Sequence, residues 1–358
     1  MPIRDTMVID ASTPSCEANR SRDVKGVVLG IESTAHTFSI GSVDGMGVPS
    51  NSISAFVRPV EGGIHPREAA DHHAQHAGNI IRRFLDEEVD ISDIKAIAFS
   101  QGPGLGPCLR IGASVARSLA MRLDVPLVGV NHCVAHIEVG RERCECDDPV
   151  LLYASGGNTQ VIARFDGRYR VLGETLDIGI GNMLDKFARE QGIPFPGGPE
   201  IERLAQRWLD DNPKPSLDGL ELPYAVQGMD LAFSGILSAA LNLVNRGMPL
   251  EAVCWSLQEH AFAACVEVAE RAMAHAGKSE LLLGGGVACN ERLRGMCGTM
   301  SESRGGMSHV PIKALCVDNG SMIATLGRLQ LLWGNPTQLS DSAVRQDLRT
   351  DETPILWN

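Results

Sequence analysis

The chain has 358 residues, enough for two domains with hydrophobic cores of their own. Its hydrophobic fraction of 44% and charged fraction of 21% exclude a largely disordered chain, and the lack of any run near the ~18 apolar residues that span a bilayer excludes a membrane-spanning helix. A net charge of −12 argues against a large nucleic-acid-binding surface but leaves room for a local basic groove.

The predicted compartment is the cytoplasm, with no membrane partner. The first residues lack the apolar segment of a signal peptide. Ten cysteines form no CxxC pair, so we expect reduced, buried thiols. Residues 1–23 are polar and show no periodicity, which predicts a flexible N-terminal extension.

From Val24 to residue 150, apolar strands alternate with helices. The predicted elements are, in order, a strand in "VKGVVLGIES", a strand in "HTFSIGSVDGMG", a helix over 65–88, a strand in "IKAIAFS", a helix in "GASVARSLAMRL", a strand in "PLVGV" and a helix in "NHCVAHIEVGRE". This alternation predicts an α/β domain that contains parallel strand pairs.

The same order of elements begins again over residues 151–317, as in a duplicated fold. "VLLYASGGNTQVIARFDGRYRVLGET" predicts three strands, with Gly156 in a place similar to that of Gly30, and four helices and the strand "ELLLGG" follow. A helix at about 318–335 is expected to complete the first domain, and 336–358 to form a tail. Two such halves predict a ligand cleft between them.

Glycine clusters follow several of the predicted strands. They are "GIESTAH", "SQGPGLGP", "SGGN", "FPGGPE" and "GGGVACN". Backbone N–H groups in such turns can approach an anion, so the clusters together favour a bound nucleotide, although any one of them alone is typical of an ordinary tight turn. None matches the P-loop or GxGxxG pattern, which disfavours the common kinases and dehydrogenases.

Two histidine pairs have the spacing of ligands on one helix face. His132 and His136 lie four residues apart, as do His72 and His76. The first pair is as compatible with ordinary hydrogen bonding as with a metal, and the second favours a solvated or substrate-facing helix side over a second metal. Cys133 stands where the zinc-protease pattern HExxH requires glutamate, which disfavours a metalloprotease.

Two oxygen donors are further candidates for a metal ion. Tyr153 ends the strand before "SGGN", where a phenol would face the cleft. Asp318 stands at a predicted helix start, where spacing alone favours an N-cap over a ligand.

The motifs together resemble the universal tRNA threonylcarbamoyladenosine transferase family, within the ASKHA superfamily of actin-like ATPases and RNase H-like folds. They are "GIESTAH", "HPREAADHH", "SQGPGLGPCLRIG", "NHCVAHIEVGR", "YASGGNTQV", "DKFARE", "FPGGPEIE", "FSGILSA", "GGGVACNERLR" and "CVDNGSMIA". Tyr153 with Asn158 resembles the archaeal and eukaryotic branch. Some archaeal members carry a fused kinase domain, and none is visible here after Asn358.

The resemblance implies the role of each matching residue. It implies one Fe²⁺ (or Zn²⁺) ion held by His132, His136, Tyr153 and Asp318. It implies a nucleotide phosphate lined by Tyr153, Ala154, Ser155, Gly156, Gly157 and Asn158. It implies nucleoside contacts from Asp185, Gly198, Glu202 and Asn290. His36 and His65 are candidates for a general base from their place near predicted turns, and a structural role fits each equally well.

The reaction implied is transfer of threonylcarbamoyl from threonylcarbamoyl-AMP to N6 of adenosine 37 in tRNAs that read codons beginning with adenine, giving t6A and AMP. The implied partners are tRNA and the KEOPS subunits, including a small kinase-like ATPase. Candidate basic contacts are few, namely Arg82, Arg83, Arg110, Arg141, Arg143 and Lys186. The helix at 65–88 is a candidate docking face. The alternative within the superfamily is an ATPase, kinase or chaperone-like nucleotide-binding protein.

Overall fold

A computed structural model describes residues 26–57 and 65–357, and the predicted extension at 1–23 lies outside them. The chain divides into two compact units. The N-terminal unit comprises the described residues up to Arg143, Asp166–Tyr169 and those from Val317 onwards, and the central unit comprises Cys144–Phe165 and Arg170–Cys316.

Strands and helices alternate along the described chain. The strands are β1 Val27–Glu32, β2 Thr37–Val43, β3 Ile53–Phe56, β4 Ile94–Gly102, β5 Leu127–Asn131, β6 Val150–Ala154, β7 Thr159–Phe165, β8 Arg168–Glu174, β9 Val226–Gln227, β10 Asp230–Leu231, β11 Glu280–Gly284 and β12 Met307–His309. The helices are α1 Pro66–Glu87, α2 Gly106–Leu123, α3 His132–Cys144, α4 Ile180–Glu190, α5 Gly198–Asp211, α6 Ser234–Asn245, α7 Leu250–Ala276, α8 Glu291–Ser303, α9 Lys313–Cys316 and α10 Gly320–Trp333.

The N-terminal unit is built on a five-stranded sheet in the order β3-β2-β1-β4-β5. Strand β2 is antiparallel to β1 and β3, whereas β4 is parallel to β1 and β5. Apolar side chains of β1, β2, β4, α1 and α2 form its core, with Phe38, Phe84 and Phe99 fully buried. Their burial supplies most of the driving force for folding this unit.

The central unit repeats this topology. Its five-stranded sheet has the order β12-β11-β6-β7-β8, with β6 antiparallel to β7 and parallel to β11, and β11 parallel to β12. The prediction of an α/β fold is therefore confirmed. The prediction that Gly30 and Gly156 lie in similar places of the two halves is wrong. Gly30 lies inside β1, whereas Gly156 follows the end of β6.

The elements that the sequence did not indicate are short and partly exposed. Strand β3 lies at a sheet edge with no fully buried residue, and β12 has three residues, none buried. Such strands carry too few alternating apolar residues to be recognised. The nine cysteines in the described part of the chain are all buried except Cys289. No described helix is both long and apolar enough to cross a membrane.

Helix α10 returns to the N-terminal unit and packs directly on β1. A Cβ on Gly30 would lie 2.1 Å from the carbonyl oxygen of Gly320 and 2.4 Å from the nitrogen of Ala324, so only glycine permits this approach. The contact brings the start of α10, and with it Asp318, to the same unit as α3.

Candidate metal centre and nucleotide-binding loop

Two histidines open helix α3 directly after strand β5. The Oδ1 atom of Asn131 accepts hydrogen bonds from the backbone N–H groups of Cys133 at 2.9 Å and Val134 at 3.2 Å, so Asn131 caps the helix. His132 is then the first helical residue and His136 lies one turn later on the same face. Both are buried, and their ring centroids are 4.8 Å apart.

Asp318 is not the N-cap of the helix that follows it. Helix α10 is capped by Asn319, whose Oδ1 accepts from the N–H of Met322 at 2.9 Å. The Oδ1 of Asp318 instead lies 3.2 Å from Nε2 of His136 and 3.5 Å from Nε2 of His132. One ligand atom from each of the three residues lies within 4.8 Å of the others, so together they can hold a metal ion.

A buried carboxylate orients the first histidine. The Nδ1 of His132 lies 2.9 Å from Oε2 of Glu32, and Oε1 of Glu32 accepts from the N–H of Thr34 at 2.6 Å and from its hydroxyl at 2.5 Å. A proton on Nδ1 leaves Nε2 as the ligand atom, the usual arrangement around protein metals. Sequence reasoning missed Glu32, although a carboxylate at the end of a strand inside "GIESTAH" was a usable signal.

The charges of Glu32 and Asp318, together with the two imidazoles, favour binding of a cation. Burial lowers the pKa of His132, but Glu32 and Asp318 outweigh it and raise the pKa to about 9. Burial lowers the pKa of His136. Burial opposes ionisation of Asp318, yet His132 and His136 hold its pKa well below the usual range. Two buried carboxylates and two imidazoles therefore suit a divalent ion, which supplies the positive charge that a proton on His132 otherwise provides.

The two candidate bases, His36 and His65, and the remaining candidate ligand, Tyr153, occupy different positions. His36 lies in the turn after β1, and its charge is among those that lower the pKa of Asp318. His65 precedes α1 and is exposed. Tyr153 is a fully buried residue of β6 in the central unit, where its backbone pairs with Gln160 and Gly284. Its role as a ligand stays a prediction.

The "SGGN" turn links β6 to β7 and lies against the start of helix α4. The N–H of Gly181 donates to the carbonyl of Ser155 at 3.1 Å, and the N–H of Asn182 to that of Gly156 at 2.9 Å. A Cβ on Gly181 would lie 2.7 Å from Cα of Gly156, so the contact requires glycine. Gly156, Gly157 and Asn158 are exposed beside this helix N-terminus.

Two of the four predicted nucleoside contacts, Asp185 and Glu202, accept hydrogen bonds from the backbone beside the other two. Asp185 accepts through Oδ1 from the N–H of Gly197 at 2.8 Å, immediately before Gly198 begins α5. One turn along α5, Glu202 accepts from the N–H of Glu291 at 2.7 Å. The neighbour of Glu291 is Asn290. The structure therefore brings these residues together in one unit.

The side chain of Asn290 is held in place by hydrogen bonds to α8 and α7. Its Oδ1 caps α8 by accepting from the N–H groups of Arg292 at 2.9 Å and Leu293 at 3.1 Å. Its Nδ2 donates to Oε1 of Gln258 at 2.7 Å. Sequence reasoning missed Gln258, a buried amide in the apolar helix α7, and also Gly181.

Comparison with known proteins identifies close relatives. A family model described as tRNA N6-adenosine threonylcarbamoyltransferase matches residues 50–325. Proteins with that name from Methanocella arvoryzae and Thermococcus sibiricus are each 52% identical to the chain, over 330 and 333 residues. The alignments cover 92% of this chain and 98% and 100% of those proteins.

Other relatives are longer. The probable bifunctional tRNA threonylcarbamoyladenosine biosynthesis protein of Methanosarcina acetivorans is 51% identical over 334 residues, which is 92% of this chain and 59% of that protein. The chain thus spans little more than half the length of these bifunctional relatives.

Solved structures support the fold alone. HypF from T. kodakarensis matches with a TM-score of 0.60 at 15% identity, over 87% of this chain and 48% of that one. The activator of the 2-hydroxyisocaproyl-CoA dehydratase from Clostridium difficile matches with a TM-score of 0.52 at 10% identity, over 84% and 94%. These likenesses agree with the predicted ASKHA-type fold.

Proposed function

We propose a function that follows from family membership: the chain belongs to the tRNA N6-adenosine threonylcarbamoyltransferase family. It transfers the threonylcarbamoyl group of threonylcarbamoyl-AMP to N6 of adenosine 37 in tRNAs that read codons beginning with adenine, and forms t6A and AMP. The observation that carries the proposal is the convergence of His132, His136 and Asp318 in a chain with this family membership.

The proposed cofactor is one Fe²⁺ ion, with Zn²⁺ as the alternative. Imidazole and carboxylate ligands suit both ions better than Mg²⁺, which prefers oxygen alone. His132 would bind through Nε2, with Glu32 fixing its ring, while Tyr153 is the proposed fourth ligand. A bound ion supplies a Lewis acid that can polarise an oxygen of the acyl donor.

The central unit is proposed to hold the leaving nucleotide. In the reaction, N6 of the adenine forms a bond to the carbamoyl carbon, and the bond from that carbon to the phosphate oxygen breaks, so that AMP departs with the electron pair. The proposed contacts to the phosphate come from Ser155, Gly156, Gly157 and Asn158 at the start of α4, and stabilise the charge that develops there. Asp185, Gly198, Glu202 and Asn290 are the proposed nucleoside contacts.

Positioning is expected to contribute more than acid–base chemistry, because the exocyclic amine of adenine is a weak nucleophile. Its proton must still be accepted after attack. His36 is the better of the two candidate bases, since it lies in the turn that follows β1 and Glu32, whereas His65 is exposed at the start of α1. A structural role for either histidine remains the competing interpretation.

The tRNA is proposed to bind through partner subunits rather than through this chain alone. Several of the few candidate basic residues already bond within the chain: Arg83 pairs with Glu87 at 2.8 Å and Arg141 with Glu138 at 3.0 Å. Phosphate binding depends on Lys and Arg, and the net charge is −12. We therefore propose assembly into the KEOPS complex, with the helix at 65–88 as a candidate docking face.

The test is reconstitution of the transfer. The anaerobically purified chain is combined with its partner subunits, an enzyme that makes the adenylate, ATP, labelled threonine, bicarbonate and unmodified tRNA. We expect label in t6A, and its loss in Asp318→Asn, which removes one carboxylate ligand. Label in tRNA that is independent of this chain would contradict the proposal. Phosphorylation of a sugar instead would favour the kinase alternative.

A further inference from the structure

The buried His73 hydrogen-bonds to the turn beside the metal group, which consists of His132, His136 and Asp318. His73 lies on the inner face of α1, is fully buried, and donates through Nε2 to the carbonyl of Ala35 at 3.0 Å. Burial is the main cause that lowers the pKa of His73 to about 4, so the imidazole is neutral at physiological pH. Its Nδ1 is buried and has no hydrogen-bond partner among the described residues. A leucine would avoid that cost, so packing alone does not account for a histidine here.

We propose that His73 is a positioning residue for the metal centre: it ties helix α1 to the turn at 33–36, and that turn sets the position of Glu32 and, through it, of His132. The proposal rests on the metal site of the proposed function. It concerns a residue that the transfer chemistry does not use.

The turn is held at three of its four backbone carbonyls. The carbonyl of Thr34 accepts from the N–H of Leu105 at 2.7 Å, and that of His36 from the N–H of Val57 at 2.8 Å. The carbonyl between them, that of Ala35, accepts from His73. Helix α1 therefore contacts the turn through the side chain of His73. Removing that side chain would remove the hydrogen bond to the carbonyl of Ala35.

The turn leads directly to the metal group. Thr34 donates both its N–H and its hydroxyl to Glu32, whose other oxygen lies 2.9 Å from Nδ1 of His132. A shift of the Ala35 carbonyl would move Thr34, then Glu32, and then the ring of His132.

The test compares two substitutions of His73 with a control on the same helix. His73→Leu removes the donor but keeps an apolar volume, whereas His73→Gln keeps an N–H donor near the place of Nε2. His76→Ala is the control, because the exposed His76 contacts His72, through a hydrogen bond to its carbonyl and ring stacking, rather than the turn. Metal affinity of the full chain is measured by chelator competition, and Co²⁺ absorption reports the geometry of the ligands.

We expect His73→Leu to bind metal roughly 10-fold more weakly, at the low end of the loss caused by partners of metal ligands, with an altered Co²⁺ spectrum. His73→Gln should recover most of the affinity, and His76→Ala should match the unmodified chain. Equal affinity and spectra for His73→Leu and the unmodified chain would overturn the inference, as would a failure of both His73 variants to differ from each other. Absence of metal in the unmodified chain would instead refute the proposed function.

Discussion

The metal group of the N-terminal unit and the "SGGN" loop of the central unit use different parts of the chain. The metal group consists of side chains, His132, His136 and Asp318, placed by helix starts and oriented by a buried carboxylate. The loop is made of backbone, and its shape depends on a contact between Gly181 and Gly156 that excludes any Cβ. The two regions should therefore respond to different kinds of substitution.

Substitutions in the two regions should weaken binding through different physical effects. Removing a ligand side chain deletes an interaction but leaves the backbone in place, so the fold should survive. Adding one methyl group to the glycine loop deletes nothing and instead displaces the backbone. A change in one region should leave binding at the other measurable, so metal affinity and AMP affinity serve as independent readouts.

The largest effect is expected at the histidine ligands. His132→Ala and His136→Ala should each weaken metal binding more than about 100-fold, because even partners of metal ligands account for 10–100-fold. Elemental analysis of anaerobically loaded protein and chelator competition measure this. Combined His72→Ala and His76→Ala is the matched control, since these histidines are also four apart on a helix and should leave metal content unchanged. Full metal occupancy in the double variant of His132 and His136 would rule the site out.

The glycine loop provides the next test. Gly181→Ala would place a Cβ 2.7 Å from Cα of Gly156. The displaced backbone should cost about 2 kcal/mol, or roughly 30-fold in AMP affinity. Calorimetric titration with AMP checks this, and metal affinity should stay unchanged. Gly295→Ala in α8 is the control, because nothing lies within 4 Å of its Cβ position. Unaltered AMP binding in Gly181→Ala would show that the loop does not contact the nucleotide.

A smaller loss of AMP affinity is expected at Asp185, whose side chain is the proposed nucleoside contact. Asp185→Ala removes an acceptor for ribose hydroxyls and should weaken AMP binding about 10-fold, or about 1.4 kcal/mol. Asp185→Asn keeps an oxygen for the N–H of Gly197 and should lose less. Calorimetry distinguishes the two variants. Equal affinities for Asp185→Ala and the unmodified chain would remove Asp185 from the nucleoside contacts.

The last effect concerns the rate at which Cys289, the residue before Asn290, is alkylated. A hydrogen bond from the Cys316 thiol is the main cause that lowers the pKa of Cys289 to about 7, whereas burial raises the pKa of Cys254 and Cys297 to about 12. Thiolate forms as pH rises through the pKa, so iodoacetamide should modify Cys289 about tenfold faster at pH 8 than at pH 6.

Peptide mass spectrometry follows the modification of each cysteine. Cys254 and Cys297 should stay unmodified at both pH values, and saturating AMP should slow the reaction of Cys289. If AMP gives no protection while it binds with full affinity, the nucleoside lies elsewhere than beside Asn290.

The sequence predicted the larger elements because each carries enough apolar residues to show its period, as in β1, α1 and α3. It also predicted His132 and His136, since spacing along one helix is local. It could not predict from spacing whether Asp318 is a cap or a ligand. That choice depends on Asn319, which caps α10, and on Gly30, which lets α10 approach β1. Contacts between residues so distant in the chain leave no local pattern, and the family resemblance was needed to favour the ligand.

The return of α10 to the N-terminal unit also bears on the order of events during synthesis. Strands β1 to β5 and both histidines leave the ribosome early, but Asp318 and the helix that covers β1 follow only after the whole central unit has been made. Until then the apolar surface around Gly30 lacks its cover, and the nascent chain has only two of the three side chains of the candidate His132, His136 and Asp318 site. Metal binding at this candidate site is therefore expected only after Asp318 has been made, and a ribosome that stops before Asp318 releases a product with an incomplete site.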